Sequence, residues 1–96
     1  MKSINQLKEK RNEIHRIAKL YGVVRLCLFG SVVRDEDNEN SDIDFLVEFE
    51  EGRTLFDLIR LKQDLEALLK KPVDVVTEKS LHPLLREKIE IEAVQI

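Results

Sequence analysis

The chain has 96 residues, 43% of them apolar, with 16 basic against 19 acidic side chains for a net charge of -3. That length supplies one hydrophobic core and therefore one domain, residues 1–96, with no room for a second domain that would bind a large acceptor. The mild negative charge and the lack of a basic tract argue against a protein that grips nucleic acid by its backbone, so no direct nucleic-acid binding is expected.

Met1 is followed by a polar, charged segment rather than an apolar signal, and no run approaches membrane-spanning length. A cytoplasmic protein without membrane contact is the expectation. Across residues 2–20, Ile4, Leu7, Ile14, Ile17 and Ala18 recur at helical spacing, with Ser3 near the start and Gly22 just past the end. The pattern predicts a single amphipathic helix, with Arg11 and His15 on its solvated face. Val23–Phe29 is a nearly continuous apolar run, as expected of a strand buried on both faces. Its Cys27, the only cysteine, excludes an internal disulfide. It reads as a small buried side chain, since neither His15 nor His82 stands at zinc-ligand spacing from it.

Gly30 ends this strand, and residues 31–34 can form one helical turn. Residues 35–40, DEDNEN, have too few apolar groups to pack, so Asp35, Glu36, Asp37 and Glu39 read as acids of a solvated loop. A second strand follows over residues 42–49. Alternation puts Asp42, Asp44 and Leu46 on one side and Ile43, Phe45 and Val47 on the other. The first two positions on one side are thus both carboxylates, with Cα atoms roughly 6.5 to 7 Å apart by strand rise. Two such groups repel unless a cation or a proton relieves them, and a hard divalent ion such as Mg²⁺ suits their oxygens. The Gly30-Ser31 pair can open a turn whose backbone N–H groups face an anion, with glycine allowing close approach.

A turn is expected at Glu50-Glu51-Gly52. Thr54 then caps a helix with Asp57 three residues on, in a capping-box arrangement. Leu55, Leu58, Ile59, Leu65, Leu68 and Leu69 supply its buried stripe, and Lys70-Lys71 suits its negative end before Pro72 stops it. Val73–Thr77 is a short strand with Val73 and Val75 on one face and Asp74 and Val76 on the other. A carboxylate buried in such a strand is costly unless paired or metal-bound, which makes Asp74 a third candidate beside Asp42 and Asp44, against a structural pairing with Lys or Arg. Ser80 caps a last helix with Pro83 in its first turn and Leu84, Leu85 and Ile89 inward, and the closing EAVQI ends extended. The order predicts an α/β (α+β) fold, a small mixed sheet flanked by helices, without internal repeat.

Gly30-Ser31, ten intervening residues and Asp42-Ile43-Asp44, with a later acid at Asp74, resemble the DNA polymerase beta-like nucleotidyltransferase superfamily. The LFGS and SDIDFLV wording and the closing EAVQI look closest to its minimal nucleotidyltransferases, over nearly the whole chain. The resemblance implies that Asp42 and Asp44 hold two Mg²⁺ ions and that Asp74 completes the second metal site and helps activate the attacking hydroxyl. It implies that Gly30 and Ser31 hold the phosphates of ATP, with Arg34 near the triphosphate. Two ions could then stabilise the entering and leaving oxygens of an in-line displacement at the α-phosphorus. The family commonly has Arg-Gly where this chain has Arg34-Asp35, and the added carboxylate and Cβ would weaken nucleotide binding by repulsion and crowding.

Relatives of this size look like antitoxins of type VII-like modules that transfer AMP to a tyrosine of a HEPN-domain toxin. The resemblance therefore implies a toxin partner, and homo- or hetero-oligomers are compatible with it. An antitoxin that neutralises its partner by binding alone is the alternative. A transferase acting on a small molecule is disfavoured, because such relatives carry a further domain.

Overall fold

A computed structural model describes residues 3–33 and 42–96. The antiparallel pair β1 (Val23–Phe29) and β2 (Ile43–Phe49) forms the centre of a four-stranded sheet. β3 (Val73–Thr77) lies parallel to β2 on one side, and the two-residue β4 (Val94–Gln95) lies antiparallel to β1 on the other, giving the order β3-β2-β1-β4. Parallel neighbours need a crossover, and α3 (Leu55–Leu69) supplies it between β2 and β3. The mixed sheet and flanking helices are those expected from the order of sequence patterns.

Alternation along the strands separates two faces. Leu26, Leu28, Ile43, Phe45, Val47, Val73 and Val75 pack with Leu7, Ile14, Ala18, Leu61, Leu65 and Leu69 into one core. Each large side chain fully buried there contributes about 1.5–3 kcal/mol relative to exposure. The other face carries Arg25 and Cys27 of β1, Asp44 and Leu46 of β2, and Asp74 of β3. Cys27 is buried, as its apolar setting implies. The β1 strand is less sheltered than its composition suggests, since Val24 and Arg25 are exposed.

The N-terminal segment is two helices rather than one, α1 (Ser3–Glu9) and α2 (Arg11–Leu20). At the break, Lys10 leaves helical geometry (ψ 12°) and its Nζ donates to the Leu68 carbonyl of α3 at 3.0 Å. A tertiary bond thus bends a segment whose periodicity continues across it. Leu7, Ile14 and Ala18 are buried as expected, and Arg11 and His15 are exposed.

Thr54 and Asp57 form the expected capping box, with the Thr54 N–H donating to the Asp57 carboxylate at 3.0 Å. Lys70 closes α3 in the left-handed conformation, φ 55°. The buried stripe of α3 differs from the expected set. Leu61, Leu65 and Leu69 form it, whereas Leu55 and Ile59 are exposed, Leu55 at 67%. At about 100° per residue those two fall to the side of the stripe, and Leu61 is a core residue that the expected stripe omitted.

The last helix, α4 (Pro83–Glu92), also departs from expectation. Its N-cap is His82, whose Nδ1 accepts from the Leu84 N–H at 3.3 Å, while Ser80 lies in a preceding single turn and donates to the Thr77 carbonyl. Proline is suited to the first helical position, which sets the cap at residue 82. Leu84 and Leu85 are exposed and Ile89 is only half-buried, so the expected inward stripe is not formed. Polar contacts hold the helix instead. Arg25 of β1 pairs with Glu78, and with Glu90 of α4 at 3.3 Å. Burial pushes the Glu78 carboxyl up, whereas its neighbour Glu78 and the Arg25 guanidinium hold Glu90 down. Among the described residues no helix is long and apolar enough to cross a membrane.

Candidate active site

The strand ends bring the residues singled out in the sequence to one edge. β1 runs antiparallel to β2, so its last residue, Phe29, pairs with Asp44. β3 runs parallel to β2, so Asp74 pairs with Asp44 in register from the other side. Partners in register share a face, which places the Asp44 and Asp74 side chains on the same side of adjacent strands. Asp42 stands one residue before β2, with the same alternation as Asp44, and is exposed. The Ile43 N–H donates to the Pro72 carbonyl at 3.0 Å, fastening the start of β2 to the chain entering β3.

Asp74 is exposed, contrary to the burial expected of it, so the cost of burying a lone carboxylate does not apply. Its place at the site rests instead on pairing with Asp44, which a single strand cannot reveal.

Gly30 ends β1 with φ +80° and opens a single 3₁₀ turn, Gly30–Val32, closed by the Val33 N–H on the Gly30 carbonyl at 3.1 Å. The conformation favours glycine, and so does the space beside it. A Cβ at this position would overlap the Asp44 carboxylate, lying 3.1 Å from its Cγ. The glycine of the Gly-Ser pair and the second acid of the Asp-Ile-Asp pair are therefore packed against each other. Ser31 follows, half-buried, at the rim. On the other side of the turn the Gly30 N–H donates to Glu92 Oε1 at 2.9 Å, a contact that no local pattern signals beyond the closing EAVQI itself. Arg34 and the loop of residues 35–40 lie outside the described residues.

This donor set fits magnesium. Among the described residues no three His, Cys, Asp or Glu side chains stand close enough to enclose an ion. Asp44 and Asp74 offer a pair of hard oxygen donors with Asp42 adjacent. Magnesium keeps several waters and takes one or two carboxylates together with substrate phosphates, so an incomplete protein shell beside a glycine turn suits an ion that would arrive with a nucleotide. The site is an open strand-end surface. A cleft of about 510 Å³ lies at the opposite ends of β2 and β3, lined by Glu48, Glu50, Arg53, Lys79 and Arg86, away from these acids.

Comparison with known proteins finds relatives of the same family and fold. The model of a family described as nucleotidyltransferase domain matches residues 5–96. A candidate protein adenylyltransferase of Methanocaldococcus jannaschii is 51% identical over 94 residues, covering 98% of both chains. The solved structure of a candidate minimal nucleotidyltransferase superposes with a TM-score of 0.90 at 46% identity, covering 100% of this chain and 97% of that one. A chain of a toxin–antitoxin structure with AMP-PNP matches with a TM-score of 0.76 at 26% identity, over 88% of this chain and 69% of that one.

Proposed function

Because the chain belongs to the nucleotidyltransferase domain family, we propose that it is a Mg²⁺-dependent protein adenylyltransferase, the antitoxin that transfers AMP from ATP to a tyrosine hydroxyl of a HEPN-domain toxin. The observation that carries this reading is the register of Asp44 with Asp74 beside the Gly30-Ser31 turn. The adenylyltransferase assignment of the M. jannaschii relative supports the activity, and AMP-PNP in the toxin–antitoxin neighbour supports the nucleotide and the kind of partner.

In this reading Asp42 and Asp44 hold magnesium, and Asp74 completes the second position. Bound magnesium would neutralise phosphate charge and stabilise the entering and leaving oxygens of the displacement. Gly30 lets the backbone approach the phosphates, the Ser31 hydroxyl donates to them, and Arg34 contributes positive charge to the triphosphate. Asp74 accepts the proton of the acceptor hydroxyl as its oxygen bonds to the α-phosphorus. The bond from that phosphorus to the leaving pyrophosphate breaks in the same step.

The test combines the purified chain with its genomic neighbour, each nucleoside triphosphate and Mg²⁺, and reads the partner by mass spectrometry. Addition of one AMP to a tyrosine, lost with EDTA and with Asp44→Ala, is the expected result. An Asp42→Ala/Asp44→Ala variant that modifies the partner as well as the parent does would remove the metal assignment. Unmodified partner that is nonetheless neutralised by both proteins would replace transfer with occlusion.

A further inference from the structure

We propose that Glu92 is a positioning residue for the phosphate turn, holding Gly30 from the side opposite Asp44; this rests on the nucleotidyl-transfer reading above. β4 pairs with β1 so that Cys27 faces Gln95 and Leu28 faces Val94. Continuing that antiparallel register by two residues brings position 92 opposite position 30. The hydrogen bond from the Gly30 N–H to Glu92 Oε1, 2.9 Å, is the side-chain counterpart of a ladder bond, made from the last residue of α4 two positions before β4 begins.

The segment carrying Glu92 is fixed at both ends. Around it, the Ala93 N–H donates to the Ile89 carbonyl at 2.8 Å and closes α4, and Glu90, two residues earlier, pairs with Arg25 of β1. After it, β4 lies on β1, and the Ile96 carbonyl is 2.8 Å from His15 Nε2 of α2. Glu92 therefore works from a braced position. Gly30 is held between two carboxylates, Asp44 against the place of a Cβ and Glu92 on the N–H.

With its N–H committed to Glu92, Gly30 contributes shape rather than a donor, and polyphosphate contacts begin at Ser31. Releasing Gly30 would let the turn reorient and move the Ser31 hydroxyl. Glycine, with the widest conformational freedom, needs such a tether most. The operative feature is an acceptor oxygen at this position, which glutamine also provides.

The experiment compares Glu92→Ala and Glu92→Gln with the parent in three measurements: Mg·ATP affinity of the chain alone, steady-state transfer, and amide hydrogen exchange at Gly30. For Glu92→Ala we expect Mg·ATP affinity to fall and KM for ATP to rise about tenfold, the scale of a lost charge-assisted hydrogen bond. The kcat should stay within about threefold, because the turn grips phosphates remote from the reacting centre. Exchange at Gly30 should accelerate, and Glu92→Gln should restore all three towards the parent. Unchanged Gly30 exchange and ATP affinity in a folded Glu92→Ala protein would overturn the assignment, as would a Glu92→Gln variant as impaired as the alanine. A parent that binds no Mg·ATP while Glu92→Ala still frees the Gly30 amide would instead overturn the transferase reading and leave the tether standing.

Discussion

The contact between Gly30 and Asp44 makes Gly30→Ala the most informative single substitution. Gly30 has φ +80°, and an L-residue there costs about 1–2 kcal/mol. The new Cβ would also displace the Asp44 carboxylate, whose residue is held by pairing with Phe29 on one side and Asp74 on the other. Forcing that side chain off its rotamer adds about 0.5–1.5 kcal/mol. The sum is about 2–3 kcal/mol, or roughly a 10–20 °C loss in Tm for a domain of this size. Gly52→Ala is the matched control, since Gly52 has φ +88° but nothing within 4 Å of the point where a Cβ would stand. Chemical denaturation of both variants should show Gly30→Ala to be the more damaging by about 1 kcal/mol. That excess should vanish when Asp44→Ala is added, appearing as coupling of similar size in a double-mutant cycle. Equal losses at positions 30 and 52, or strict additivity with Asp44→Ala, would refute the packed glycine–aspartate pair. AMP transfer should fall more steeply than stability, because the displaced group is a proposed metal ligand.

Further expectations concern the acids, the core and pH. Asp74→Asn should cut AMP transfer by about a hundredfold while leaving thermal unfolding within a few degrees, because its side chain is exposed and its proposed role is chemical. Leu65→Ala should cost about 2–5 kcal/mol in urea denaturation, whereas Leu55→Ala should be close to neutral, reversing the equal weight that sequence periodicity gives them. The Tyr21 hydroxyl donates to Asp64 at 2.5 Å, and that hydrogen bond raises the phenol above its ordinary value of 10.0. A raised acid favours the protonated folded state, so this stabilisation is complete below pH 10 and is lost as pH rises through the folded-state value. The urea midpoint should therefore fall more from about pH 9 to about pH 11 in the parent than in Tyr21→Phe.

How much of the fold and site was legible in the sequence depends on the range of the physics involved. Alternation within one strand is local, so Asp42 and Asp44 could be assigned to one side from residues 42–49 alone. The capping box at Thr54 and Asp57 and the β3 boundaries, Val73–Thr77, were legible for the same reason. Asp74 was singled out on a premise of burial that does not hold. The correct reason, register with Asp44, depends on a crossover through α3 that fixes which residues of two distant strands meet. The apolar residues of α4 follow a helical pattern, yet the helix is held by Arg25, Glu78 and Glu90, leaving Leu84 and Leu85 exposed. Periodicity reports which side chains could be buried; a neighbour decides which are. Lys10 and Glu92 act through bonds to residues 58 and 62 positions away, beyond the reach of any local window.

The register of β2 with β3 also restricts how the gene can change length. Inserting or deleting one residue inside β3 ahead of position 74 would swing the acid to the helix-covered face and put a valine on the face that carries Asp44. A comparable change within α3 would rotate Leu61, Leu65 and Leu69 off the core by about 100°. Both elements answer to the same sheet, so residues 55–77 should resist indels as a block, and codon-level deletion scanning would trace the borders of that block.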